Sequence, residues 1–579
     1  MTQDGRLEAP EATAVYTGAD ALTDALLAVG VEYLFVNLGT DHPALVESWA
    51  RRTAEGRPLP RIVTSPHETV ALAAAMGYAD VSGRMQAVLV HVDVGTQNLG
   101  GMVHNAARGR VPVLILAGAS SVTLHGEMKG SRTDFIQFVQ DVYDQRGIVR
   151  EYMKWSYEVK TGKVLPMLVF RATQMARSDP AGPVYLVAAR EMLEEPVSPD
   201  WPREVWAEPG ETALPPAAVR RVVEAIAASE RPVIITAYAG RRPEAVERLV
   251  ALSERLAVPV VESSRRFLNF PDTHPHHVGH EAPRLVQEAD LIVILDADVP
   301  WVPLDATPRP GTRVFHLDLD PIKAGIPLWH LPIEAAWRVS APVALEQCLA
   351  YLDAGFAQDP AKLAARRRWI QRQRAAWEAG SPAHPDPGAP GAISPEYVSQ
   401  VLNTLIGPEA LVINETCSRA AGAVNRYLPR TRAGTLFSSG ASSLGWGGGA
   451  ALGAKLAAPE RLVVHLTGDG AFMFSVPTAV YWMARRYQAP FLTVVFDNAN
   501  WDAARRATIR QHPDGFGART GCFFTDFENP PAYHEIARAA GGAFGVRVER
   551  PEAVADALAQ AIAAVREGSP AVVNIAVAP

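Results

Sequence analysis

The sequence predicts an α/β protein with three doubly wound parallel-sheet domains. Short apolar runs that end in glycine or small polar residues alternate with helical patterns along the chain, as in parallel sheets with helices on both faces. Two proline-rich connectors, 194–216 and 381–392, interrupt this alternation, because proline removes the backbone donors that a helix or central strand needs. A chain of 579 residues is also too long for one core and suggests about three domains.

The first domain is predicted to span 1–193. Its clearest strands are the apolar runs 33–36, 87–90 and 113–116, and helical periodicity covers 20–29 and 69–79.

The second domain is predicted to span 217–350, and a basic helix follows it at 362–380. The predicted strands of this domain are 232–236, 258–262, 291–295 and 313–317.

The third domain is predicted to span 393–579, with strands at 411–414, 462–466, 491–496 and 571–576. Its layout resembles that of the first domain, which would fit a duplicated fold.

Composition excludes several classes of function. A net charge of −7 gives no reason to expect nucleic acid or an anionic membrane as partner. The chain contains no stretch of about 18 uninterrupted apolar residues, and its first 15 residues lack the pattern of a signal peptide. Cys348, Cys417 and Cys522 suit reduced thiols, and no Cys/His spacing resembles a zinc site. These features indicate a cytoplasmic metabolic enzyme.

The strongest motif joins two strand ends in the third domain. The run 462–467 leads into Gly468-Asp469-Gly470, and the run 491–496 leads into Asp497-Asn498-Ala-Asn500. In a parallel sheet both sets of residues emerge at the carboxyl edge, where such folds bind ligands. A carboxylate, an amide oxygen and a backbone carbonyl leave about half of an octahedral shell open, as Mg²⁺ prefers. A lone Gly-Asp-Gly is an ordinary turn, but the two-part pattern is far more specific.

Two further segments carry candidate ligand-binding residues. In 61–79 a strand gives way to a helix of small residues whose first turn contains Glu68, a position that would also complement the helix dipole. The glycine- and alanine-rich segment 437–454 contains Leu444. It would let the backbone approach a ligand closely, or simply permit tight helix packing.

These motifs, in this order, resemble those of thiamine-diphosphate-dependent enzymes over essentially the whole chain. The resemblance implies pyrimidine-binding, central and diphosphate-binding domains. It puts Asp469, Asn498 and the carbonyl of Asn500 on Mg²⁺. It also implies that Glu68 bonds N1′ of the aminopyrimidine and favours the imino tautomer, which leads to deprotonation of C2. Leu444 becomes the wedge that bends the cofactor.

The full cofactor-binding set implied by the resemblance is Glu68, Ser418, Ser442, Leu444, Gly468, Asp469, Gly470, Ala471, Asn498 and Asn500. The sequence departs from the family pattern at three positions. Asp497 stands where an asparagine is usual, Ala471 replaces a serine, and Phe474 replaces a tyrosine. The change at Asp497 removes no metal ligand, but Ala471 and Phe474 stand where the family's serine and tyrosine would contact the phosphate.

Within the family, the sequence most resembles benzoylformate decarboxylase, with acetolactate synthase and 2-hydroxyacyl-CoA lyase close behind. The loop 414–418, the wedge Leu444 and the segment 89–98 carry this resemblance. The last segment contains His91, 23 residues after Glu68. His91 is therefore a candidate catalytic residue that would orient a substrate carboxylate or relay protons, although a histidine at a strand end is as often structural.

The predicted reaction is non-oxidative decarboxylation of a 2-oxo acid to an aldehyde. Ala503 and Ala504 leave room for a medium-sized or aromatic side chain. Acetolactate-type carboligation and cleavage of a 2-hydroxyacyl-CoA remain open. In the CoA case Lys362, Arg366, Arg367 and Arg368 could meet the phosphates, although a solvated helix explains these residues more simply.

Other expectations follow from the resemblance alone. The central domain, whose last strand leads into 316–320, could hold FAD, an adenine nucleotide or nothing, and an FAD-dependent oxidase on the same scaffold remains open. Arg505, Arg506 and Arg510 follow the metal motif and could meet an anionic group, but a solvated helix face suits Arg506 and Arg510 better. The active site is expected to need two chains, in a homodimer at minimum and a homotetramer by expectation.

Overall fold

The computed structural model describes residues 15–203 and 206–579. The first 14 residues, most of the segment without a signal-peptide pattern, lie outside this range. Three parallel sheets and one two-stranded hairpin are present in the described residues, which confirms the predicted fold class. The chain forms two compact units, Met1–Pro209 with Leu452–Ala458, and Gly210–Ala451 with Pro459–Pro579. No helix in the described part of the chain has both the length and the apolar character needed to cross a membrane.

The N-terminal sheet has six strands in the order β2-β1-β3-β4-β6-β5. The strands are β1 Tyr33–Val36, β2 Arg61–Thr64, β3 Gln86–Val90, β4 Val113–Ala119, β5 Trp155–Val159 and β6 Val184–Ala189. The helices are α1 Gly18–Ala28, α2 Pro43–Ala54, α3 Glu68–Ser82, α4 Val92–Asn98, α5 Gly101–Arg108, α6 Ile136–Val139, α7 Leu165–Arg177 and α8 Arg190–Glu194. The strands β3 and β6 are buried along their whole length, as expected for a sheet covered on both faces.

The central sheet has five strands in the order β11-β10-β9-β7-β8. The strands are β7 Pro232–Thr236, β8 Val260–Glu262, β9 Leu291–Leu295, β10 Arg313–Asp318 and β11 Ala335–Arg338. The helices are α9 Pro216–Ala228, α10 Pro243–Leu256, α11 Pro283–Glu288, α12 Ala341–Asp353 and α13 Pro360–Ala379.

The C-terminal sheet has six strands in the order β15-β14-β16-β17-β19-β18, after the hairpin of β12 Gly388–Ala389 and β13 Ala392–Ile393. Its strands are β14 Leu411–Glu415, β15 Leu436–Phe437, β16 Val463–Gly468, β17 Leu492–Asp497, β18 Phe544–Val548 and β19 Ala571–Ala576. The helices are α14 Pro395–Leu405, α15 Ser418–Tyr427, α16 Trp446–Ala457, α17 Asp469–Phe474, α18 Pro477–Arg486, α19 Asp502–Gln511, α20 Phe516–Thr520, α21 Tyr533–Gly541 and α22 Val554–Arg566. Counted within each domain, this strand order is the same as in the N-terminal sheet, so the similarity in layout is real.

Short 3₁₀ helices complete the described structure, at Gln145–Ile148, Arg150–Tyr152, Gly162–Val164, Ala239–Arg241 and Pro551–Ala553.

The breaker 381–392 contains more structure than its composition predicts. The short antiparallel hairpin β12–β13 forms there, with Gly388 at φ +85, a conformation that glycine adopts without strain. The hairpin carries only two residue pairs, which is too short to leave a periodic pattern in the sequence.

Helix α13 is attached to the central domain by one buried arginine. Arg366 is 1% exposed, and its guanidinium donates to the carbonyls of Ile226, Ala227 and Leu256 at 2.6, 2.8 and 2.9 Å and to the carbonyl of Ser229. Three of these carbonyls belong to the C-terminal end of α9 or the residue after it, where helix carbonyls lack intrahelical partners. Arg366 therefore caps α9, and it is not available to a ligand phosphate.

Replacing Arg366 with methionine should lower the stability of the central domain by about 2–4 kcal/mol, because it leaves several buried carbonyls without donors. The midpoint of chemical denaturation should fall accordingly. The exposed neighbour Arg367 is the matched control, and Arg367→Met should change stability by no more than about 0.5 kcal/mol. Equal effects of the two substitutions would contradict the capping role.

Candidate active site

Glu68 lies at the carboxyl edge of the N-terminal sheet. It is the first residue of α3, directly after the loop that follows β2, and it is 6% exposed. The Nδ2 group of Asn98 donates to Glu68 Oε2 at 3.0 Å. A Cβ atom on Gly95 would lie 3.1 Å from Glu68 Oε1, so the helix α4 passes close to this carboxylate.

The neighbouring strand ends carry an ion pair between Asp41 and His91. Asp41 follows β1, His91 follows β3, and the two strands are adjacent in the sheet. His91 Nδ1 lies 2.6 Å from Asp41 Oδ1, and the other oxygen, Oδ2, accepts from the amide of Val92 at 3.1 Å. Sequence reasoning identified His91 but not Asp41, because nothing in the local pattern Gly-Thr-Asp-His indicates which strand end the carboxylate will face.

Two glycines make room for this pair. A Cβ atom on Gly39 would lie 2.0 Å from His91 Nδ1, and one on Gly118 would lie 1.6 Å from Asp41 Oδ2. Neither distance is possible for non-bonded atoms. Any larger residue at either position would displace the pair.

The pairing favours the charged form of both groups. The hydrogen bond that His91 donates to Asp41 raises the pKa of His91, partly opposed by burial. The pKa of Asp41 is lowered: burial favours its neutral form, but the hydrogen bond from His91 and the charges of His42 and His91 outweigh that effect. The imidazole of His91 therefore holds its proton more firmly than a free histidine does, at the same sheet edge as Glu68.

At the C-terminal sheet, nine residues predicted to bind the cofactor surround one cavity of ≈340 Å³. They come from the ends of the adjacent strands β14, β16 and β17 and from the loop before α16. These residues are Ser418, Ser442, Leu444, Gly468, Asp469, Gly470, Ala471, Asn498 and Asn500. The volume is within the usual range for small-molecule sites.

Asp469 is a buried carboxylate in this cavity. It begins α17, is 4% exposed, and accepts from the amides of Gly470 at 2.8 Å and Asn500 at 3.3 Å. Burial, with a smaller contribution from the charge of Asp497, raises the pKa of Asp469 to about 7. The amide oxygen Asn498 Oδ1 accepts from the amide of Asn500 at 3.1 Å, which holds it beside Asp469. A divalent cation between these oxygens would restore the charged form of Asp469.

Asp497, the unusual residue of the motif, does not compete for that position. Its Oδ2 atom pairs with Arg547 Nη1 at 2.8 Å, and its Oδ1 atom accepts from the amide of Ala499 at 3.2 Å. The extra negative charge is thus neutralised by an arginine on β18.

The loop that carries Leu444 is held by a carboxylate that sequence reasoning did not single out. Glu415, at the end of β14, accepts from the first two amides of α16, those of Trp446 at 2.7 Å and Gly447 at 3.1 Å. These amides have no intrahelical acceptor. Gly445, next to Leu444, has φ +90, and its Cβ position would be 2.4 Å from the carbonyl of Phe474.

Further residues line the cavity without having been predicted as ligands. Cys417, Trp501 and Asp502 belong to this group. Their positions next to Ser418 and Asn500 in the sequence are the only signal that could have indicated them. Arg506 is 58% exposed and lies 3.9 Å from Asp502, and Arg510 pairs with Asp305, so both behave as surface residues.

Three family models match this chain in order. The N-terminal TPP binding domain of thiamine pyrophosphate enzymes matches residues 16–145, their central domain 219–336, and their C-terminal TPP binding domain 417–575. The chain belongs to the thiamine pyrophosphate enzyme family. It is a thiamine-pyrophosphate-dependent enzyme, and thiamine pyrophosphate is the thiamine diphosphate of the sequence analysis.

Individual relatives agree on the family but differ in reaction. An acetolactate synthase of Mycobacterium bovis is 26% identical over 561 residues, 94% of this chain and 86% of that protein. A benzoylformate decarboxylase of Pseudomonas aeruginosa is 27% identical over 470 residues, 79% of this chain and 83% of that protein. The crystal structure of benzoylformate decarboxylase from Polynucleobacter necessarius has the same fold, with a TM-score of 0.80 and 20% identity over 97% of this chain and 99% of that one.

Replacing Gly118 with alanine should displace Asp41 from His91 and destabilise the enzyme by about 1–3 kcal/mol. The pair stabilises the fold only where both groups are charged. Its contribution is thus largest above about pH 4, the ordinary pKa of an aspartate, and is lost as the pH rises through the raised pKa of His91. The loss of stability caused by Gly118→Ala should therefore be smaller at alkaline pH. Chemical denaturation of the variant and the parent at a series of pH values measures this.

The control is Gly422→Ala in α15, where no atom lies within 4 Å of the new Cβ position. Alanine should be neutral or slightly stabilising there. A pH-independent loss in Gly118→Ala would show that the ion pair contributes nothing.

Proposed function

We propose that this enzyme binds Mg²⁺ with its thiamine diphosphate and decarboxylates a 2-oxo acid to an aldehyde without oxidation. The observation that carries the proposal is the Asp41–His91 pair beside Glu68. Decarboxylation to an aldehyde needs a proton at the carbon that loses CO₂, and a histidine whose pKa is raised can supply one. Carboligation instead needs that carbon to remain unprotonated until a second carbonyl arrives.

The residues of the C-terminal cavity fit the cofactor and the metal. Asp469, Asn498 and the carbonyl of Asn500 would hold Mg²⁺, an all-oxygen set that leaves positions for phosphate and water. The buried Asn500 Oδ1 atom has no hydrogen-bond partner, which suits a site that is completed by a ligand. Bound thiamine diphosphate supplies a nucleophilic carbon and an electron sink for cleavage beside a carbonyl.

The roles we assign to the chain's own residues follow from these positions. Glu68, oriented by Asn98, would hold a proton at N1′ of the aminopyrimidine. His91, oriented by Asp41, would orient the substrate carboxylate and deliver a proton to the product carbon. Leu444, held through the Glu415 cap, would set the bend of the cofactor.

The substrate would be a 2-oxo acid with a medium-sized or aromatic side chain. Trp501 and Ala503 line the same cavity as the metal-binding residues, and the small side chain of Ala503 leaves space next to an aromatic wall.

Two alternatives have less support. The relatives include acetolactate synthases, which keeps carboligation as the second candidate. For CoA thioesters, Arg366 is already bound to backbone carbonyls and Lys362 Nζ to the carbonyl of Ala228, which leaves only Arg367 and Arg368 of the four basic residues.

The central domain gives little support for FAD or an adenine nucleotide. At the end of β10 the Asp318 carboxylate pairs with Lys323 Nζ at 2.6 Å, and the same ammonium lies 2.8 Å from Asp298. A flavin-dependent oxidase would be yellow and consume oxygen, so an absorbance spectrum separates this alternative.

We retain 1–193, 217–350 and 393–579 as the proposed domain limits, and the cytoplasm as the proposed compartment.

We propose a homodimer as the minimal active unit and a homotetramer as its usual form. The segment around α6 supports self-association because its apolar side chains are exposed in the single chain. Phe135 is 74% and Val139 is 69% exposed, and a partner chain would shield them from water. Contiguous apolar surface of this kind marks an interaction site.

Asp469→Ala should weaken Mg²⁺-dependent binding of thiamine diphosphate by more than about 100-fold, because it removes the charged metal ligand. Isothermal calorimetry measures this directly. The matched control is Asp497→Asn, which removes the adjacent charge but no proposed ligand and should change affinity by less than about 10-fold. If Asp469→Ala binds the cofactor as tightly as the parent, the metal assignment is wrong.

Glu68→Gln should abolish H/D exchange at C2 of the bound cofactor while leaving the fold intact.

If each active site uses Glu68 of one chain and Asp469 of another, hybrids of the Glu68→Gln and Asp469→Ala chains contain one intact site. Coexpressed hybrids should then recover about half the activity per dimer, although each parent is inactive. Hybrids without activity would show that both residues serve one chain.

A further inference from the structure

Outside the active site, four metal-binding side chains meet inside the central domain. They are Glu262, Asp272, His277 and His280, whose ligand atoms all lie within 4.8 Å of one another. Glu262 ends β8, and the other three lie in the loop that follows it. The side chains are buried, with His280 the most exposed at 10%.

Each carboxylate is oriented by its other oxygen. Glu262 Oε1 accepts from the backbone and side-chain nitrogens of Asn269 at 2.8 and 2.9 Å. Asp272 Oδ2 accepts from the amide of Arg430 at 2.8 Å. The remaining oxygens, Glu262 Oε2 and Asp272 Oδ1, point into the space they share with the two imidazoles. Metal-binding carboxylates are held in this way by outer-shell hydrogen bonds.

The two histidines face these oxygens. His277 Nε2 lies 3.2 Å from Glu262 Oε2 and 3.7 Å from Asp272 Oδ1. His280 Nδ1 lies 3.7 Å from Glu262 Oε2, and its Nε2 lies 3.8 Å from Asp272 Oδ1. Neither ring nitrogen of His280 makes a hydrogen bond, although both are buried. A buried polar atom without a partner destabilises the folded state, and a bound cation would remove that penalty.

The cluster also has a net negative formal charge when both imidazoles are neutral. Two carboxylates face one guanidinium, since Arg265 Nη1 donates to Glu262 Oε2 at 3.1 Å and to Asp272 Oδ1 at 2.7 Å. Burial raises the pKa of the Asp272 carboxyl. Each carboxylate oxygen has two lone pairs, so it can accept from Arg265 and still bind a cation. A proton on one imidazole would supply charge, but it would leave most of the unpartnered nitrogens as they are.

We propose that Glu262, Asp272, His277 and His280 form a structural binding site for a divalent transition-metal ion of the zinc type. Two imidazoles and two carboxylates suit Zn²⁺ and related ions better than Mg²⁺, which prefers oxygen alone. Four protein ligands in a buried place form a closed site, which is typical of structural and not of catalytic metals. The sequence did not indicate the site because it contains no cysteine and its first ligand lies ten residues before the second.

The ion would stabilise the segment from Arg265 to Asp272, which in turn pairs with the loop that leads to Leu444. The segment from Arg265 to Asp272 pairs with the C-terminal domain: the amide of Ser438 donates to the carbonyl of Arg266 at 2.9 Å, and the amide of Asp272 donates to the carbonyl of Arg430 at 2.9 Å. The rings of Phe267 and Phe437 are in edge contact at 6.0 Å. Residues 438–444 continue directly into the wedge.

Metal analysis of the full-length enzyme tests this site. The enzyme is purified without a metal-affinity step, kept in Mg²⁺ buffer and analysed by inductively coupled plasma mass spectrometry. Wild type should retain about one transition-metal ion per chain. Metal-stripped enzyme should regain its melting temperature on addition of Zn²⁺ but not of further Mg²⁺. Failure of wild type to retain or rebind Zn²⁺ overturns the proposal without recourse to any variant.

Three variants locate the ion. His280→Ala should lower Zn²⁺ affinity by more than about 100-fold, because loss of an outer-shell partner alone costs 10- to 100-fold. His276→Gln, in the same loop but outside the cluster, should keep the ion, and so should Asp469→Ala, in which only the proposed Mg²⁺ site is lost. Equal Zn²⁺ content in wild type and His280→Ala would place the ion elsewhere and overturn the assignment.

Discussion

The buried carboxylate of Asp469 requires a positive charge nearby, and the C-terminal sheet edge is organised around this requirement. It lies at the end of β16, nearly out of contact with water, where its charged form is unfavourable unless a cation is near. Arg547 neutralises the adjacent Asp497 but not Asp469. The divalent ion that we propose beside Asp469 and Asn498 would supply the missing positive charge. Asp41 at the N-terminal sheet meets the same requirement with a histidine.

Close packing around these charges depends on glycine. Gly39 and Gly118 adjoin the Asp41–His91 pair, and Gly447 lies where a Cβ atom would be 2.1 Å from His465 Nε2. Protein interiors have no spare volume at such contacts. The glycines thus act through the space they leave: they allow strand ends and helix starts to approach closely enough for the charged groups to pair. A substitution at any of them would act on the site indirectly, by moving its charged groups.

Much of the fold, and the strand ends that form the candidate site, could be predicted from the sequence. The strands 33–36, 232–236, 291–295 and 571–576 are confirmed residue for residue, because buried parallel strands are short apolar runs with clear ends. Asp469 and Asn498, which we propose as metal ligands, could be singled out because each belongs to a local motif, and both line the same cavity. Asp41, Glu415 and the Glu262–His280 cluster were missed, since each depends on contacts between distant strand ends or on a loop without regular periodicity. For Arg366 the sequence suggested a solvated helix face, or a phosphate contact in the CoA case, because nothing in a basic helix shows that one of its arginines is buried.

The central claim is that His91, held by Asp41 beside Glu68, would deliver the proton that makes an aldehyde the product. Product identification by mass spectrometry, after incubation of the holoenzyme with a panel of 2-oxo acids and 2-hydroxyacyl-CoAs, tests it most directly. The account predicts CO₂ and the corresponding aldehyde from at least one 2-oxo acid with a medium-sized or aromatic side chain. Acetolactate from pyruvate with no aldehyde from any acid, or turnover of CoA thioesters alone, would contradict it.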